Sequence, residues 1–288
     1  MRILRRLGFA VRTLAPDREV RRIVQGTELW LPWSHRLPDY VAVHATYGRN
    51  IVDLAAALAA RTAGPLQMLD IGANVGDTAL QVMADVDARV LCVEGDPYWL
   101  TWLERNVGAD PRVVIEPSLV SVDGAELSPV RRGGTTRFER AGAAGSAQLR
   151  TPEEIRDRHP EFAGVRLVKC DTDGFDVPLV PAIARAWGTT PVLFFEHDHR
   201  LTRLAGHDPA TVWPALADLG YVEAGVWDNH GRPLGRVPLA EMAERSALQD
   251  GPHRGWDYWD VAVVHDSDEA GAGALSSVLP GAWVSHGS

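Results

Sequence analysis

The apolar positions of this chain follow two spacings in turn, and their alternation predicts strands that are separated by helices. Continuous apolar runs at 68–72, 90–94 and 112–116 are typical of buried strands, and apolar residues at helical spacing occupy 77–85 and 97–106. These five segments form a βαβαβ unit, which is the pattern of a parallel sheet with helices on both faces. We therefore predict an α/β fold.

The same alternation continues on both sides of this unit. An amphipathic helix is predicted over 50–61, where it leads into the first strand. Towards the carboxyl terminus, the predicted elements are strand 166–170, helix 177–186, strand 192–196, helix 209–219, strand 221–227 and strand 259–265. One main domain accounts for all of these elements.

Irregular segments flank and interrupt this domain, which we assign to residues 46–266. Residues 1–45 are predicted to be a loop-rich or short-strand segment that packs on the domain and is a candidate lid. Residues 121–150 are rich in glycine and are predicted to be an insertion with a short hairpin near 135–139. The residues 267–288, rich in Gly, Ala and Ser, are predicted to be a flexible tail.

The charge of the chain narrows the classes of partner. The 288 residues carry a formal net charge of −9, which disfavours diffuse attraction to nucleic acid or to an anionic membrane and favours a small or neutral substrate. Near the amino terminus, the apolar stretch 7–10 is short and is followed by Arg12, so it is neither a convincing signal peptide nor a membrane span. An oligomer is compatible with this composition.

The two cysteines, Cys92 and Cys170, indicate the redox compartment. Each lies in an apolar run, and the two runs are predicted to be strands on either side of the first strand. Two inter-strand spacings are roughly 10 Å, which is beyond the reach of a disulfide. Buried, reduced thiols are typical of a cytoplasmic protein, and we expect that location here.

The strongest chemical signal is the turn Asp70-Ile71-Gly72-Ala73-Asn74-Val75-Gly76-Asp77-Thr78, which joins the first strand to the next helix. Glu94 ends the following strand. A buried strand, a tight glycine turn, a helix and an acid on the next strand are typical of a nucleotide-type cofactor site. In an alternative interpretation, glycine and asparagine supply only backbone freedom in an ordinary strand–turn–helix connection.

The spacing in this turn decides between two kinds of cofactor. A dinucleotide-binding turn requires Gly-x-Gly-x-x-Gly, but Asn74 and Asp77 occupy its second and third glycine positions. A pyrophosphate would meet a side chain at Asn74 and a carboxylate at Asp77. S-adenosylmethionine carries no phosphate and is compatible with an acidic turn. Asp70 is then expected to face its cationic amino acid end, and Glu94 to bind its ribose.

Two polar clusters, 171–176 and 196–199, follow apolar strands at the edge where parallel sheets place their ligands. Methyl transfer to a hydroxyl group needs the acceptor to lose a proton. His197 and His199 are candidate bases because imidazole titrates near neutral pH, and Asp173 competes with them. A structural hydrogen bond is the alternative role for each histidine.

The carboxylates of these clusters also allow a metal site. Asp171 and Glu196 complete the catalytic candidates, and Asp171, Asp173, Glu196 and Asp198 are candidate ligands of Mg²⁺, which would orient a diol and lower the pKa of the acceptor. The sequence does not establish that these groups converge. A divalent metal is therefore an alternative that we do not favour.

Four segments together resemble the successive motifs of the FkbM-type methyltransferases, over about residues 47–265. They are Leu69 to Thr78, Val93-Glu94-Gly95-Asp96-Pro97, Val168-Lys169-Cys170-Asp171-Thr172-Asp173-Gly174-Phe175-Asp176 and Phe194-Phe195-Glu196. The resemblance implies a class I, Rossmann-like methyltransferase sheet of seven strands, mostly parallel with the last strand antiparallel. It also implies an S-adenosylmethionine-dependent O-methyltransferase; members often act on sugars, polyketides or related secondary metabolites, including antibiotics.

The resemblance assigns residues to parts of the cofactor. Around the methionine part it implies Tyr47, Asp70, Gly72, Asn74 and Gly76, and it implies Glu94 at the ribose and Ser118 and Leu119 at the adenine. Asp77, Thr78, Gly95 and Asp171 adjoin these motifs and are further candidates for cofactor binding.

The chain departs from the family at two points. The common Asp-x-Glu-Gly is Asp171-Thr172-Asp173-Gly174 here, which shortens one carboxylate side chain, and the Thr-Leu-Asp box is replaced by Arg150-Thr151-Pro152-Glu153.

Other functions remain open at this level. A small-molecule N-methyltransferase, a Mg²⁺-dependent sugar O-methyltransferase and a non-catalytic module that binds the cofactor are alternatives, and a nicotinamide dehydrogenase is a weaker one. A nucleic-acid base methyltransferase is disfavoured, because 171–175 contains no proline and the charge is acidic. Tryptophans such as Trp30 and Trp33, together with the loop 231–256, form a candidate lid over a small hydroxyl-bearing acceptor.

Overall fold

A central sheet of eight strands organises the computed structural model, which describes residues 18–122, 127–132, 135–140, 148–250, 258–279 and 281–283. Across the sheet, the strands are β13 (Pro233–Pro238), β12 (Tyr221–Asp228), β14 (Trp259–His265), β11 (Val192–His197), β10 (Leu167–Cys170), β3 (Leu66–Ile71), β4 (Ala88–Val93) and β5 (Val113–Glu116). Strands β3, β4, β5, β10 and β11 are mutually parallel, and β14 lies antiparallel between β11 and β12.

The predicted fold class is confirmed: the sheet is Rossmann-like and mostly parallel, and its last strand is antiparallel as in the class I methyltransferase arrangement. The strand count differs, since the sheet has eight strands and not seven. The additional strand, β13, pairs antiparallel with β12 at the edge of the sheet. The chain reverses between the two strands at Gly231, whose φ of 75° is accessible to glycine at little cost.

Helices cover both faces of the sheet. On one face lie α2 (Arg49–Ala59), α3 (Asp77–Asp85), α4 (Pro97–Val107) and α10 (Glu269–Val278). On the other face lie α5 (Pro152–Arg158), α6 (Asp176–Trp187), α8 (Val212–Ala217) and α9 (Met242–Ser246), while α1 (Leu37–Val43) and α7 (His199–Leu204) lie near the carboxyl ends of the strands. The two faces have separate apolar cores, because successive strand residues point to opposite sides.

The segment predicted as loop-rich, 1–45, contains regular structure in its described part. Strands β1 (Glu19–Val24) and β2 (Thr27–Pro32) form an antiparallel hairpin and are followed by α1; residues 1–17 lie outside the described part of the chain. Leu29 and Leu31 are buried against a third apolar cluster that includes Trp99 and Trp102 of α4. The segment therefore has the short strands that the prediction allowed, and the exposed Arg21 and Ile23 explain why no regular strand pattern is visible in the sequence.

The prediction of a flexible tail at 267–288 is also wrong for most of its length. Helix α10 begins after Asp268, whose carboxylate accepts a hydrogen bond from Gly271 N at 3.0 Å and pairs with Arg166 at 2.8 Å. Ala274 and Leu275 are fully buried against the sheet. The small residues of this segment therefore allow close packing, whereas we interpreted them as a sign of flexibility. Residues 280 and 284–288 lie outside the described part.

The insertion at 121–150 is closed at its base by two short strands. β6 (Leu119–Val120) pairs in parallel with β9 (Leu149–Arg150). Between them, β7 (Leu127–Arg132) and β8 (Thr135–Arg140) form an antiparallel hairpin, which includes the predicted strand near 135–139. The glycines at 124, 133, 134, 142 and 145 lie outside the described residues.

Cys92 and Cys170 lie on β4 and β10, the two neighbours of β3, as predicted. Both thiols are buried and unbridged, and burial raises the pKa of each well above its ordinary value. In the part of the chain that the structure describes, no helix is both long enough and apolar enough to cross a membrane.

Candidate functional site

A cleft opens at the carboxyl ends of β3, β4, β5 and β10, where an open α/β sheet binds its ligands. It encloses about 720 Å³ of empty space, including space open to solvent. Its walls are formed by Ile71, Gly72, Asn74, Val93, Glu94, Gly95, Trp99, Ser118, Leu119, Val120, Asp171, Thr172, Asp173, Phe175 and Leu179.

The glycine turn after β3 forms the floor of this cleft. Gly72 has a φ of 77°, and a Cβ at this position would overlap the backbone carbonyl oxygen of Asp171. Gly76 has a φ of 80° and caps α3, where a Cβ would lie 2.9 Å from Leu103. The turn therefore requires glycine at both positions, because only glycine combines this conformation with these close approaches.

Glu94 connects the two turns that border the cleft. Its Oε2 accepts a hydrogen bond from Asn74 N at 2.9 Å, and its Oε1 accepts one from Asp96 N at 2.7 Å. The side chain is only 7% exposed, and burial raises the pKa of the carboxyl group to about 7, although the two N–H donors oppose the rise. Glu94 lines the cleft, as predicted, and each oxygen retains a lone pair for a further donor.

The far wall of the cleft is mainly apolar. Leu119 packs so closely on Gly95 that a Cβ at Gly95 would overlap it. Phe175 and Leu179, at the start of α6, contribute an apolar surface to the cleft that was not predicted from the sequence. The sequence signal that could have identified them is their position directly after the acidic turn at 171–174. A flat apolar group such as a purine fits a wall of this kind.

A buried ion pair lies beneath the cleft, next to the glycine turn. Asp70 and Lys169 are opposite each other on β3 and β10, and Lys169 Nζ lies 3.1 Å from Asp70 Oδ1 and 3.6 Å from Asp171 Oδ2. Burial raises the pKa of Asp70, and the Lys169 ammonium opposes this rise. Among the described residues, Oδ2 of Asp70 has no hydrogen-bond partner. The sequence analysis gave Lys169 no role.

Three of the predicted catalytic residues come together at the rim. Burial raises the pKa of Glu196 well above its ordinary value, and the nearby Asp171 and Asp173 raise it further. Tyr47 adjoins this group: its pKa is raised first by burial and then by charges that include Asp171 and Glu196, and its hydroxyl bonds to Tyr258. Asp171 and Asp173 line the cleft, whereas Glu196 does not.

The histidines predicted as bases lie away from the cleft. His197 is fully buried, with Nε2 3.1 Å from the carbonyl oxygen of Pro209 and Nδ1 3.4 Å from Gln249 Nε2, and burial lowers its pKa to about 3. His199 is 6% exposed, and its Nδ1 lies 2.9 Å from Asp250 Oδ1. We therefore correct the prediction that either histidine is the base, since both are held in structural contacts.

The candidate metal ligands are not arranged as a ligand set. The Asp198 carboxylate accepts a hydrogen bond from Leu201 N at 2.7 Å and caps α7, so it has a structural role. Within the described ranges, no group of three or more His, Cys, Asp and Glu side chains has the arrangement of a metal site.

The predicted cofactor residues divide into two sets. Those that line the cleft are Gly72, Asn74, Glu94, Gly95, Ser118, Leu119 and Asp171. Those that do not are Tyr47, Asp70, Gly76, Asp77 and Thr78. Gly76 and Thr78 are buried in the start of α3, and the pKa of Asp77 is raised to about 6, mainly by burial.

Part of the amino-terminal segment lies over this site. His35, just before α1, has Nε2 3.4 Å from Asn74 Oδ1, and its ring packs edge-on against Trp99 with centroids 5.5 Å apart. Tyr40 of α1 interacts electrostatically with Asp173; its pKa is raised mainly by burial. The segment thus contacts the glycine turn and lies within electrostatic reach of the acidic rim. The other part of the proposed lid, 231–256, is not a loop in its described part, because it contains β13 and α9. Residues 251–257, including Trp256, lie outside the described residues.

No protein-family model matches this chain, and no curated protein sequence matches it. Among solved structures, it is similar to a precorrin-6y C5,15-methyltransferase from Geobacter metallireducens, with 14% identity, 75% of this chain and 86% of that chain covered, and a TM-score of 0.40. It is also similar to an S-adenosylmethionine-dependent methyltransferase from Geobacter sulfurreducens in complex with S-adenosylhomocysteine, with 12% identity, 78% of this chain and 96% of that chain covered, and a TM-score of 0.41. A third similar structure is a fibrillarin pre-rRNA processing protein from Methanococcus jannaschii, with 12% identity, 70% of this chain and 67% of that chain covered, and a TM-score of 0.40. Similarity this low identifies no activity for the chain, and the resemblance to FkbM-type methyltransferases stays a prediction from its motifs.

Proposed function

We propose that this protein is an S-adenosylmethionine-dependent methyltransferase and that the cleft is its cofactor site. The observation that carries the proposal is the charge of the lining: the charged side chains among the described wall residues are Glu94, Asp171 and Asp173, all acidic. A pyrophosphate would be repelled by such a wall, whereas a sulfonium cation would be attracted.

The residues present fit this cofactor part by part. Glu94 has oxygens available to accept hydrogen bonds from ribose hydroxyls, and Leu119, Val120 and Phe175 offer an apolar surface for adenine. Asp70 is buried beneath the cleft and one of its carboxylate oxygens has no hydrogen-bond partner among the described residues, so it would attract an ammonium group in the cleft through its charge. When bound, S-adenosylmethionine supplies a methyl group activated by a positively charged sulfur.

We assign the acceptor to the acidic rim, where Asp173 is the preferred base. Asp173 lines the cleft and has a φ of 50°, which is unfavourable for a residue with a side chain and is a feature that clusters at functional sites. It would take the proton from an acceptor hydroxyl, with Glu196 beside it. The motifs favour a sugar or polyketide-type hydroxyl. Because carboxylates also attract amines, N-methylation of a small molecule is a second candidate.

Location and partner class follow from the same reasoning and remain proposals. The buried thiols of Cys92 and Cys170 are compatible with a reducing compartment, and we keep the cytoplasm as the expected location. The net charge of −9 continues to favour a small-molecule acceptor over nucleic acid.

A binding experiment tests the cofactor assignment. Purified protein freed of bound ligand is heated with S-adenosylhomocysteine, NAD or ATP. A ligand present at one hundred times its Kd adds about 2.7 kcal/mol to the free energy of unfolding, so binding is visible as a raised Tm. We expect stabilisation by S-adenosylhomocysteine and none by NAD. No stabilisation by S-adenosylhomocysteine, or equal stabilisation by NAD, would refute the assignment. The acceptor is then sought as a mass gain of one methyl group on a panel of hydroxylated metabolites.

A further inference from the structure

Lys169 is the only lysine of the chain, and it lies within the central sheet, directly below the candidate cofactor cleft. Its side chain is 8% exposed, and its ammonium group lies 3.1 Å from Asp70 and 3.6 Å from Asp171. It also interacts electrostatically with Asp77 at the start of α3. One ammonium group is thus shared by three carboxyl groups.

Stability alone does not explain a charged pair at this place. Removing two charges from water costs several kcal/mol per ion, and buried ion pairs are often no more stabilising than apolar residues of similar volume. The neighbouring positions on the same strand face, such as Met68 and Leu167, are apolar and fully buried. An apolar pair at 70 and 169 would continue that core, so the ion pair calls for a functional explanation.

Asp70 and Asp171 link the ammonium group to the cleft. Asp171 lines the cleft and is about half exposed, whereas Asp70 is fully buried and has one carboxylate oxygen without a hydrogen-bond partner among the described residues. Burial by itself would favour the neutral form of Asp70, which is a weaker acceptor for a cation. The nearby ammonium group opposes this effect.

We propose that Lys169 is a positioning residue that holds Asp70 and Asp171 beside the cleft, so that the site binds the ammonium group at the amino acid end of its cofactor. The inference rests on the proposed function. Asp70 contributes its negative charge to the cluster as long as the ammonium group of Lys169 lies beside it. Replacing Lys169 by a neutral residue lets Asp70 take up a proton and removes that charge.

A simpler electrostatic argument predicts the opposite effect. If Lys169 acts only as a positive charge near the ammonium group of the ligand, it repels that group, and its removal tightens binding. The two arguments therefore differ in the sign of the change, which makes a substitution at Lys169 informative.

The first experiment measures the affinity for S-adenosylhomocysteine by calorimetry between pH 6 and pH 9. For Lys169→Met we expect affinity at least about tenfold weaker at pH 7, the usual effect of losing a charged hydrogen-bond partner. The loss should shrink as the pH rises, because Asp70 then ionises without Lys169. Lys169→Arg should stay within about threefold of the wild type. The inference is overturned if the affinity of Lys169→Met does not recover as the pH rises, or if this variant binds more tightly than the wild type.

Arg166→Met is the matched control on the same chain segment. Arg166 precedes the same strand, β10, but pairs with Asp268 at 2.8 Å, at the other end of the strand. Arg166→Met removes a cation from an ion pair on the same part of the sheet, as Lys169→Met does. A loss of affinity that came only from disturbing the structure of the sheet should therefore appear in both variants. We expect Arg166→Met to lower the Tm and to leave the affinity and its pH dependence unchanged.

A second measurement needs no variant and holds even where Lys169→Met does not fold. Protein grown with ¹³C-labelled lysine gives a single lysine side-chain NMR signal, because Lys169 is the only lysine. We expect this signal to stay in its charged form from pH 6 to pH 10 and to shift when S-adenosylhomocysteine is added, but not with NAD. A signal that titrates below pH 9, or that ignores a bound cofactor, would contradict the role of Lys169. Failure of the wild type to bind S-adenosylhomocysteine overturns the proposed function and this inference together, whereas unchanged binding by Lys169→Met overturns the inference alone.

Discussion

Glu94 should make cofactor affinity and protein stability depend on pH in opposite directions. Its carboxylate is 7% exposed, accepts hydrogen bonds from Asn74 N and Asp96 N, and has a pKa raised to about 7, mainly by burial. In the proposed function it must be ionised to hold the ribose hydroxyls, so affinity should rise with pH. The free protein pays for the buried charge, so its stability should fall over the same range.

The size of both effects follows from the two pKa values of Glu94, near 4.5 in the unfolded chain and about 7 in the folded protein. With a pKa of about 7, about one eleventh of the carboxyl groups are ionised at pH 6 and about ten elevenths at pH 8, so the apparent Kd should fall about tenfold between them. The contribution to stability is fully present below pH 4.5 and is lost as the pH rises through 7. The difference between the two pKa values corresponds to about 3 kcal/mol.

The assay pairs calorimetric titration of S-adenosylhomocysteine with urea unfolding of the free protein, at pH 6, 7 and 8. Glu94→Gln is the control, because the amide keeps the shape of the side chain but carries no charge. This variant should bind weakly at every pH and should lose the pH dependence that Glu94 contributes to both measurements. An affinity that falls with rising pH, or a Glu94→Gln variant that keeps the dependence of the wild type, would refute the reasoning.

Two further predictions concern the turn and the base. Gly72→Ala should abolish S-adenosylhomocysteine binding and lower the free energy of unfolding by more than about 2 kcal/mol in urea denaturation, because the new Cβ overlaps Asp171. Gly188→Ala is the control, since Gly188 also has a positive φ, of 63°, but has open space around it. Equal losses of stability in the two variants would argue against the overlap. In a methyl-transfer assay, Asp173→Asn should lose turnover while keeping its cofactor affinity. His197→Ala should have a lower Tm but should keep its turnover per folded molecule. Lost turnover in His197→Ala together with normal turnover in Asp173→Asn would restore His197 as the base.

The sequence predicted the centre of the fold well because the centre has the clearest periodicity. Helix α3 spans Asp77–Asp85, as predicted, and each predicted central strand is present within two residues. Helix α10 was missed, and the hairpin of β1 and β2 was predicted only as loop or short strands, for physical reasons. Their buried positions are few, and the small residues of α10 are also typical of mobile chain ends.

The site was predicted where its residues end a strand or follow one in a recognisable motif. The turn after β3, Glu94, Ser118, Leu119 and Asp171 are of this kind. Leu179 and the pairing of Asp70 with Lys169 depend on the packing of α6 and on the register of β10 with β3, which no local pattern contains. His197 shows where strand geometry opposes the prediction: successive residues of a strand point to opposite faces, so Glu196 and His197 of β11 face different sides of the sheet.

The pairing of β6 with β9 has a consequence for how this protein changes over evolution. Leu119 N donates to the carbonyl oxygen of Gln148 at 2.8 Å, and Ser121 N donates to that of Arg150 at 2.9 Å, so the two ends of the insertion are joined beside the cofactor wall. The entropic cost of closing a loop rises by only about 0.6 kcal/mol for each doubling of its length. The residues between these ends are therefore free to lengthen, shorten or be exchanged as a module, while Leu119 keeps its position against Gly95.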